Sequence, residues 1–174
     1  MPLASVQAYS IDDSQTTEID DALSVTGLGS GQVTLGIHIA APGLAIVPGS
    51  DLDKLGRQRL STVYMPGYKI TMLPDEVVQA YTLDAGRANP AVSLYVTYDE
   101  ASLAVLEKTT RLERVPVAHN FRHDQLDHIV TEEHLAQDIS QVQVENIPQS
   151  LKDVWHELSF LHKLAQHLKH QREV

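Results

Sequence analysis

The sequence has no cysteine and few basic residues, and each shortage excludes a class of function. Without cysteine, the 174-residue chain has no disulfides, thiolate nucleophile or Cys-ligated metal, so any metal ligands must be oxygen or imidazole groups. Lysine and arginine total 13 against 23 aspartates and glutamates, which gives a formal net charge of −10. This imbalance argues against a large basic surface for nucleic acid within the chain.

Long apolar runs are also absent, because no stretch of about 18 apolar residues is available to span a bilayer. The opening segment MPLASVQAYS has neither the basic start nor the apolar core of a secretion signal. We therefore expect a cytoplasmic protein with no membrane partner. A hydrophobic content of 43% is sufficient for one proper core, and we expect one domain.

Hydrophobic periodicity predicts a mixture of strands and helices. Alternating or apolar stretches predict strands near residues 6–11, 21–26, 33–40, 92–98 and 103–117, with the glycine-rich GLGSGQ of residues 27–32 as a hairpin turn. Helical spacing predicts a helix capped by Ser50 that ends before Val63, one or two turns within 73–86, a short helix within 123–138, and a long amphipathic helix from Ser150 to the chain end. The prolines between 64 and 74 indicate a loop.

Five carboxylates lie within ten residues, at the ends of two predicted strands: Asp12, Asp13, Glu18, Asp20 and Asp21. If they converge, two unit charges about 4 Å apart repel by roughly 4 kcal/mol at an effective dielectric constant near 20. A hard divalent cation such as Mg²⁺, which prefers oxygen ligands, would offset this repulsion. A solvated acidic turn is the alternative, because Asp and Ser favour turns through local hydrogen bonds.

Two known acidic motifs do not fit this cluster. An EF-hand loop starting at Asp12 would need glycine where Thr17 stands and a bidentate glutamate where Leu23 stands. A phosphate-accepting acidic pocket would need alternating strands and crossover helices, which the downstream sequence does not show.

For three residues with ring side chains, the sequence is compatible with either a structural role or a role in a site. His38 lies in a strand of alternating character, which favours a hydrogen-bonded structural histidine over a role in a site. Tyr64 and Tyr68, in VYMPGYKITMLP, are either core residues or rings on which a nucleic-acid base stacks.

Several of these stretches, in this order, resemble the catalytic RNB domain of the ribonuclease II and ribonuclease R family: SIDDSQTTEIDDALSV, LGIHIAAPG, PGSDLD, YMPG and MLP. The resemblance covers most of the chain up to about residue 117 and extends more loosely over the C-terminal helices. It implies an α+β fold with a mixed, largely antiparallel sheet and packed helices. It also identifies residues 1–174 as the N-terminal part of an RNB-type catalytic domain, truncated on its C-terminal side.

The resemblance implies a 3′ to 5′ hydrolytic exoribonuclease that uses Mg²⁺, with Mn²⁺ as an alternative ion, and releases nucleoside 5′-monophosphates from single-stranded RNA. The family's four metal-site aspartates fall on Asp12, Glu18, Asp20 and Asp21, and its nucleotide-packing tyrosine falls on Tyr64. Asp12 and Asp21 are the first choices as ligands. Asp20 either binds a second ion or orients the attacking water, so that Asp20 and Asp21 are the expected catalytic residues.

The chain departs from the family pattern at two positions, because Glu18 and Ala41 stand where aspartate and an acid are usual. In the family, flanking OB-type RNA-binding domains and the rest of the catalytic domain supply basic surface and further catalytic Arg and Glu residues. The resemblance therefore implies a longer parent protein. The competing reading is a catalytically silent RNB-like fragment or RNA-binding module.

Overall fold

The computed structural model describes residues 1–172, and these residues form an α+β structure, as the sequence predicts. The strands are β1 (Ala8–Asp12), β2 (Asp21–Thr26), β3 (Gln32–Ala40), β4 (Val63–Met65), β5 (Tyr68–Ile70), β6 (Ala88–Asp99) and β7 (Val105–Arg122). The helices are α1 (Asp51–Arg59), α2 (Asp75–Tyr81), α3 (His123–Leu126), α4 (Glu132–Leu135), α5 (Gln149–Asp153) and α6 (Trp155–Arg172), with 3₁₀ turns at Pro42–Ala45 and Ile139–Gln141.

Five strands form a sheet that closes on itself in the order β1-β2-β3-β6-β7, with β7 pairing back onto β1. Neighbouring strands are antiparallel except for β1 and β7, which run parallel. The mixed, largely antiparallel sheet is therefore confirmed. The predicted hairpin between β2 and β3 is confirmed as well, and Gly27, Gly29 and Gly31 give its turn the positive φ angles that glycine adopts without strain.

The helices pack against the sheet at two points along α5 and α6. Leu151 and Trp155 are fully buried and belong to the same apolar cluster as Tyr9 of β1. Further along α6, Phe160 and Leu164 pack with apolar residues of β2, β3 and β6. Because α6 contacts strands from both ends of the strand order, its burial stabilises the closed sheet as a whole.

His38 belongs to a group of buried, hydrogen-bonded polar side chains on β2, β3 and β6. Its Nδ1 lies 2.8 Å from Ser93 Oγ, and its Nε2 lies 2.9 Å from Ser24 Oγ. Burial lowers the pKa of His38 to about 4, so the ring is neutral at physiological pH. A Cβ at Gly36 would collide with Ser24 Oγ, which explains glycine at this strand position. The structure confirms His38 as a hydrogen-bonded structural residue.

The structure differs from the sequence prediction in four segments. The helix predicted from Ser150 onward is broken at Val154 (φ −106, ψ 8) into α5 and α6, and its predicted residues Glu173 and Val174 lie outside the described residues. The pattern misses the break because Leu151, Val154 and Leu158 are all buried across it. The single helix predicted within 123–138 is two separate turns, α3 and α4.

The third difference is the predicted loop, which contains the β4–β5 hairpin. Gly67 occupies its turn with φ 83, and three-residue strands are too short to give a period-two signal. Strand β7 is also longer than predicted, because its residues after Val117 pair with β1.

Within residues 1–172, none of the helices is both long and apolar enough to cross a membrane. Even the 18-residue helix α6 carries exposed Lys163, Gln166 and Lys169. The cytoplasmic location stays a prediction from the sequence.

The packing of α5 predicts that two Leu→Ala substitutions, one on α5 and one on α6, differ strongly in their effect on the free energy of unfolding. Leu151→Ala should lower the free energy of unfolding by about 2–5 kcal/mol, because it removes fully buried methyl groups and leaves a cavity. Leu168→Ala on α6, where the side chain is 39% exposed, should cost less than about 1 kcal/mol. Urea unfolding of the two variants measures both values. Equal losses would contradict the packing of α5 against the sheet.

Candidate functional site

The acidic segment between β1 and β2 is anchored by one buried residue, Ile19, which is 1% exposed. Its backbone N–H donates to Thr82 Oγ1 at 2.7 Å, and its carbonyl accepts from the Leu83 N–H at 2.9 Å. These two hydrogen bonds fix the segment against the residues that follow α2. The side chains of Glu18 and Asp20, on either side of Ile19, are therefore held in place although both reach solvent.

The strand ends supply the other two carboxylates. Strand β1 ends at Asp12 and the antiparallel strand β2 begins at Asp21, so both side chains lie at the same end of the closed sheet. Ser10 Oγ donates to Asp12 Oδ2 at 2.5 Å, and Asn120 Nδ2 on β7 donates to Ser10 Oγ at 3.0 Å. The pairing of β1 with β7 thus orients Asp12 through two side chains that the sequence analysis did not single out.

The four acidic residues that the sequence predicts for the site lie within electrostatic range of one another. Partial burial raises the pKa of Asp20, and the carboxylates of Glu18, Asp21 and Asp12 raise it further, while Lys69 acts in the opposite direction. A turn whose charges were spread into solvent would not produce this combination. Asp20 therefore lies within electrostatic range of Glu18, Asp21 and Asp12.

One cation contacts this cluster directly. Lys69 Nζ lies 2.7 Å from Glu18 Oε2, and the two side chains are only 26% and 15% exposed. Lys69 on β5 pairs across the hairpin with Tyr64 on β4, so both side chains project from the same hairpin face. The sequence analysis missed Lys69. The available signal was that it is the only charged residue between Tyr64 and Pro74.

The two tyrosines of the hairpin are exposed, at 75% for Tyr64 and 61% for Tyr68. This exposure excludes the core alternative for both. Together with Asp13, Glu18 and Lys69 they line a groove of about 400 Å³ between the hairpin and the acidic segment. An aromatic ring in such a position is available to stack on a flat ligand.

The donor set at this end of the sheet suits a hard divalent cation, because carboxylate oxygens are the ligands that Mg²⁺ prefers and water fills its remaining positions. Asp12, Asp20 and Asp21 fit such an ion in their chemistry, whereas Glu18 is already bonded to Lys69. In the part of the chain that the structure describes, no three His, Asp or Glu side chains are gathered closely enough to hold a metal as they stand. The ligand assignments therefore stay predictions.

A larger concavity among the described residues lies elsewhere and contains none of the predicted site residues. It measures about 980 Å³ and lies between the β2–β3 turn and α6, with Gly29, Glu132 and Phe160 among its lining. Its size does not outweigh the chemistry of the smaller groove, where aromatic and charged groups converge.

Curated relatives of this chain are ribonucleases of much greater length. The chain is 34% identical over 129 residues to an uncharacterized ribonuclease of Synechocystis sp., covering 74% of this chain and 19% of that protein. It is 43% identical over 72 residues to Exoribonuclease 2 of Pectobacterium atrosepticum, covering 41% of this chain and 11% of that protein. The chain thus spans about a fifth or less of these relatives.

Solved structures show the same fold. RNase R of Mycoplasma genitalium, in complex with ribose-methylated single-stranded RNA, superposes with a TM-score of 0.76 at 17% identity, over 98% of this chain and 25% of that one. Dss1 exoribonuclease of Candida glabrata gives 0.78 at 22% identity, over 98% and 22%.

A third structure with this fold is yeast Ssd1, described as a pseudonuclease. It gives a TM-score of 0.67 at 21% identity, over 83% of this chain and 20% of that one. The family model of the RNB domain matches residues 2–174. The chain therefore belongs to the RNB domain family.

Proposed function

We propose that this chain is part of the catalytic domain of a 3′ to 5′ exoribonuclease that hydrolyses single-stranded RNA to nucleoside 5′-monophosphates. Its membership of the RNB family and its similarity to an exoribonuclease support this proposal at the level of the family. The observation that carries it to residues is that Glu18, Asp21 and Asp12 all act electrostatically on Asp20, while Glu18 and the exposed Tyr64 line one groove. The RNase R structure bound to single-stranded RNA supports the choice of substrate.

The proposal includes a divalent ion, Mg²⁺ with Mn²⁺ as an alternative, held by Asp12, Asp20 and Asp21. When bound, such an ion lowers the pKa of water and neutralises charge on the phosphate oxygens. The convergence that raises the pKa of Asp20 supports this choice, because a dication would relieve it. Ser10 and Asn120 keep the Asp12 carboxylate oriented toward this end of the sheet.

Asp20, Tyr64 and Ile19 would then have separate roles in hydrolysis. Asp20, whose pKa is raised, accepts a hydrogen bond from the attacking water or takes its proton. Tyr64 stacks on a base near the RNA 3′ end and so fixes the scissile phosphate relative to the carboxylates. Ile19 holds the segment that carries Glu18 and Asp20, which limits reorganisation during the reaction.

Because the chain is acidic, other parts of the proposed protein must supply the positive surface that attracts RNA. With a net charge of −10, this domain alone repels a polyanion. We propose that flanking OB-type RNA-binding domains in a longer parent provide the basic surface. The much greater length of the curated relatives supports this part of the proposal.

A catalytically silent RNB module is the second candidate function. The similarity to the pseudonuclease Ssd1 favours it, since this fold also occurs without nuclease activity. The pairing of Glu18 with Lys69 favours it too, because a carboxylate bonded to lysine is not a free metal ligand. Hydrolysis of single-stranded RNA by the longer parent, measured with Mg²⁺ and with chelator, separates the two candidates.

Asp20→Asn in that parent should lower the rate of RNA hydrolysis at least about 100-fold and change RNA affinity less than about threefold, because it removes a group that acts in the transition state. Single-turnover hydrolysis and filter binding measure the two effects. Asp53→Asn on α1, outside the predicted site, is the matched control and should change neither. Loss of affinity in proportion to the loss of rate would contradict the role of Asp20.

Tyr64→Ala should change the length of the shortest RNA that the parent leaves undegraded, because a missing stacking ring reduces the grip on short strands. Its melting temperature should stay within about 2 °C of wild type, since the ring is 75% exposed. Tyr64→Phe keeps the ring and should keep the wild-type product. An unchanged product length for Tyr64→Ala would contradict the stacking role.

The raised pKa of Asp20 predicts how the stability of the metal-free chain depends on pH. Between the unfolded pKa of about 4 and the higher folded pKa, the native state binds more protons, so stability should fall as pH rises through this window. Asp20→Asn should remove this fall, which screening limits to less than about 1 kcal/mol.

Asp53→Asn is the control for this titration and should act with the opposite sign. The pKa of Asp53 is lowered by the Gly49 N–H and by Arg57, so its contribution is lost as pH falls. Thermal melts of the three proteins with chelator, from pH 4 to 8, measure both effects. The same pH profile for wild type and Asp20→Asn would contradict the convergence of charges at Asp20.

A further inference from the structure

The Glu18–Lys69 ion pair differs from the other lysine pair in the described part of the chain. Lys69 Nζ and Glu18 Oε2 are 2.7 Å apart, and the side chains are 26% and 15% exposed. Lys54 and Asp51 on α1 are 3.0 Å apart, with side chains 68% and 100% exposed. Limited solvent access strengthens the first pair and leaves the second with little energetic weight.

The pair also joins two parts of the site that are 51 residues apart in sequence. Glu18 belongs to the segment anchored by Ile19, and Lys69 belongs to the β4–β5 hairpin that carries Tyr64. Lys69 therefore contacts the acidic cluster directly and links it to the hairpin that carries Tyr64.

We propose that Lys69 is a positioning residue that keeps Glu18 out of the metal-ligand set and gives the acidic cluster a fixed internal positive charge. This inference rests on the proposed function, because it concerns which of the same carboxylates bind the ion. Glu18 has one oxygen committed to a charged hydrogen bond, and a metal ion would have to displace the ammonium to use it. The ion is then held by Asp12, Asp20 and Asp21.

The arrangement has a measurable consequence for the affinity of the site. Removing the Lys69 charge frees Glu18 as a further oxygen donor and makes the cluster more negative, and both changes favour a divalent cation. A lysine that only ties a hairpin to a segment would change stability and leave ion affinity as it was. Ion binding therefore separates positioning from a purely structural role.

The test measures the Kd for Mn²⁺ of the 174-residue chain, by the electron paramagnetic resonance of free Mn²⁺ at fixed ionic strength. Lys69→Met should lower the Kd by about threefold or more, and Lys69→Arg should stay within about twofold of wild type. Lys54→Met makes the same charge change at the exposed pair on α1 and should also stay within about twofold. Lys69→Gln is a second neutral variant in case Lys69→Met unfolds in circular dichroism.

A double-mutant cycle with Glu18→Gln separates the two parts of the proposal. The gain from Lys69→Met should be clearly smaller when Glu18→Gln is already present, because the freed ligand is then missing. An equal gain in both backgrounds would overturn the claim that Lys69 withholds Glu18. A Kd for Lys69→Met equal to that of Lys54→Met would overturn the proposal entirely.

The same titration distinguishes this inference from the proposed function. If Asp20→Asn leaves the Mn²⁺ affinity of the wild-type chain unchanged, the metal assignment of the proposed function fails, whatever Lys69 does. If Asp20→Asn weakens binding and Lys69→Met has no effect, only the Lys69 inference fails. If the wild-type chain binds no Mn²⁺, binding that appears in Lys69→Met supports the inference, and its absence there overturns it.

Discussion

The parallel pairing of β1 with β7 is the constraint on which the site depends. It closes the sheet and places Ser10 beside Asn120. The antiparallel pairing of β1 with β2 then puts the end of β1 and the start of β2 at the same end of that sheet. The repulsion among the carboxylates is reduced because Lys69 neutralises the charge of Glu18 and because Asp20 reaches solvent. Burial of Ile19, worth about 1.5–3 kcal/mol, and its two backbone hydrogen bonds offset that repulsion. The fold can therefore hold the cluster together through its own contacts.

Elements that are defined by local patterns were predictable from the sequence. The five strands of the closed sheet, the glycine turn after β2 and the Ser50 cap of α1 each have a signal within about ten residues. The extension of β7 to Arg122 depends on its pairing with the distant strand β1, and the break at Val154 falls between buried positions that continue on both sides of it. The spacing of apolar residues does not reveal such changes, because buried positions recur at the same spacing on both sides of each one.

The same distinction applies to the site. The clustered carboxylates were visible because they are neighbours in sequence, and those of Glu18, Asp21 and Asp12 raise the pKa of Asp20. Lys69, Asn120 and Ser10 were not visible, because their roles arise from strand pairing and from an ion pair between segments far apart in sequence. The exposure of Tyr64 likewise depends on the short β4–β5 hairpin, because no other layer of the described part of the chain covers the tyrosine rings of that hairpin.

The balance of charge also determines what this domain contributes to RNA binding in the proposed function. Lys69 is committed to Glu18, so it is not a free phosphate contact, and the surrounding carboxylates repel a polyanion. Stacking on Tyr64, worth about 1–3 kcal/mol per base, does not depend on a net positive surface. Phosphate attraction depends on salt, whereas stacking depends on it weakly. In the proposed function, the domain would therefore favour a strand that another surface has already captured, and it would bind the bases of the terminal nucleotides more than their phosphates.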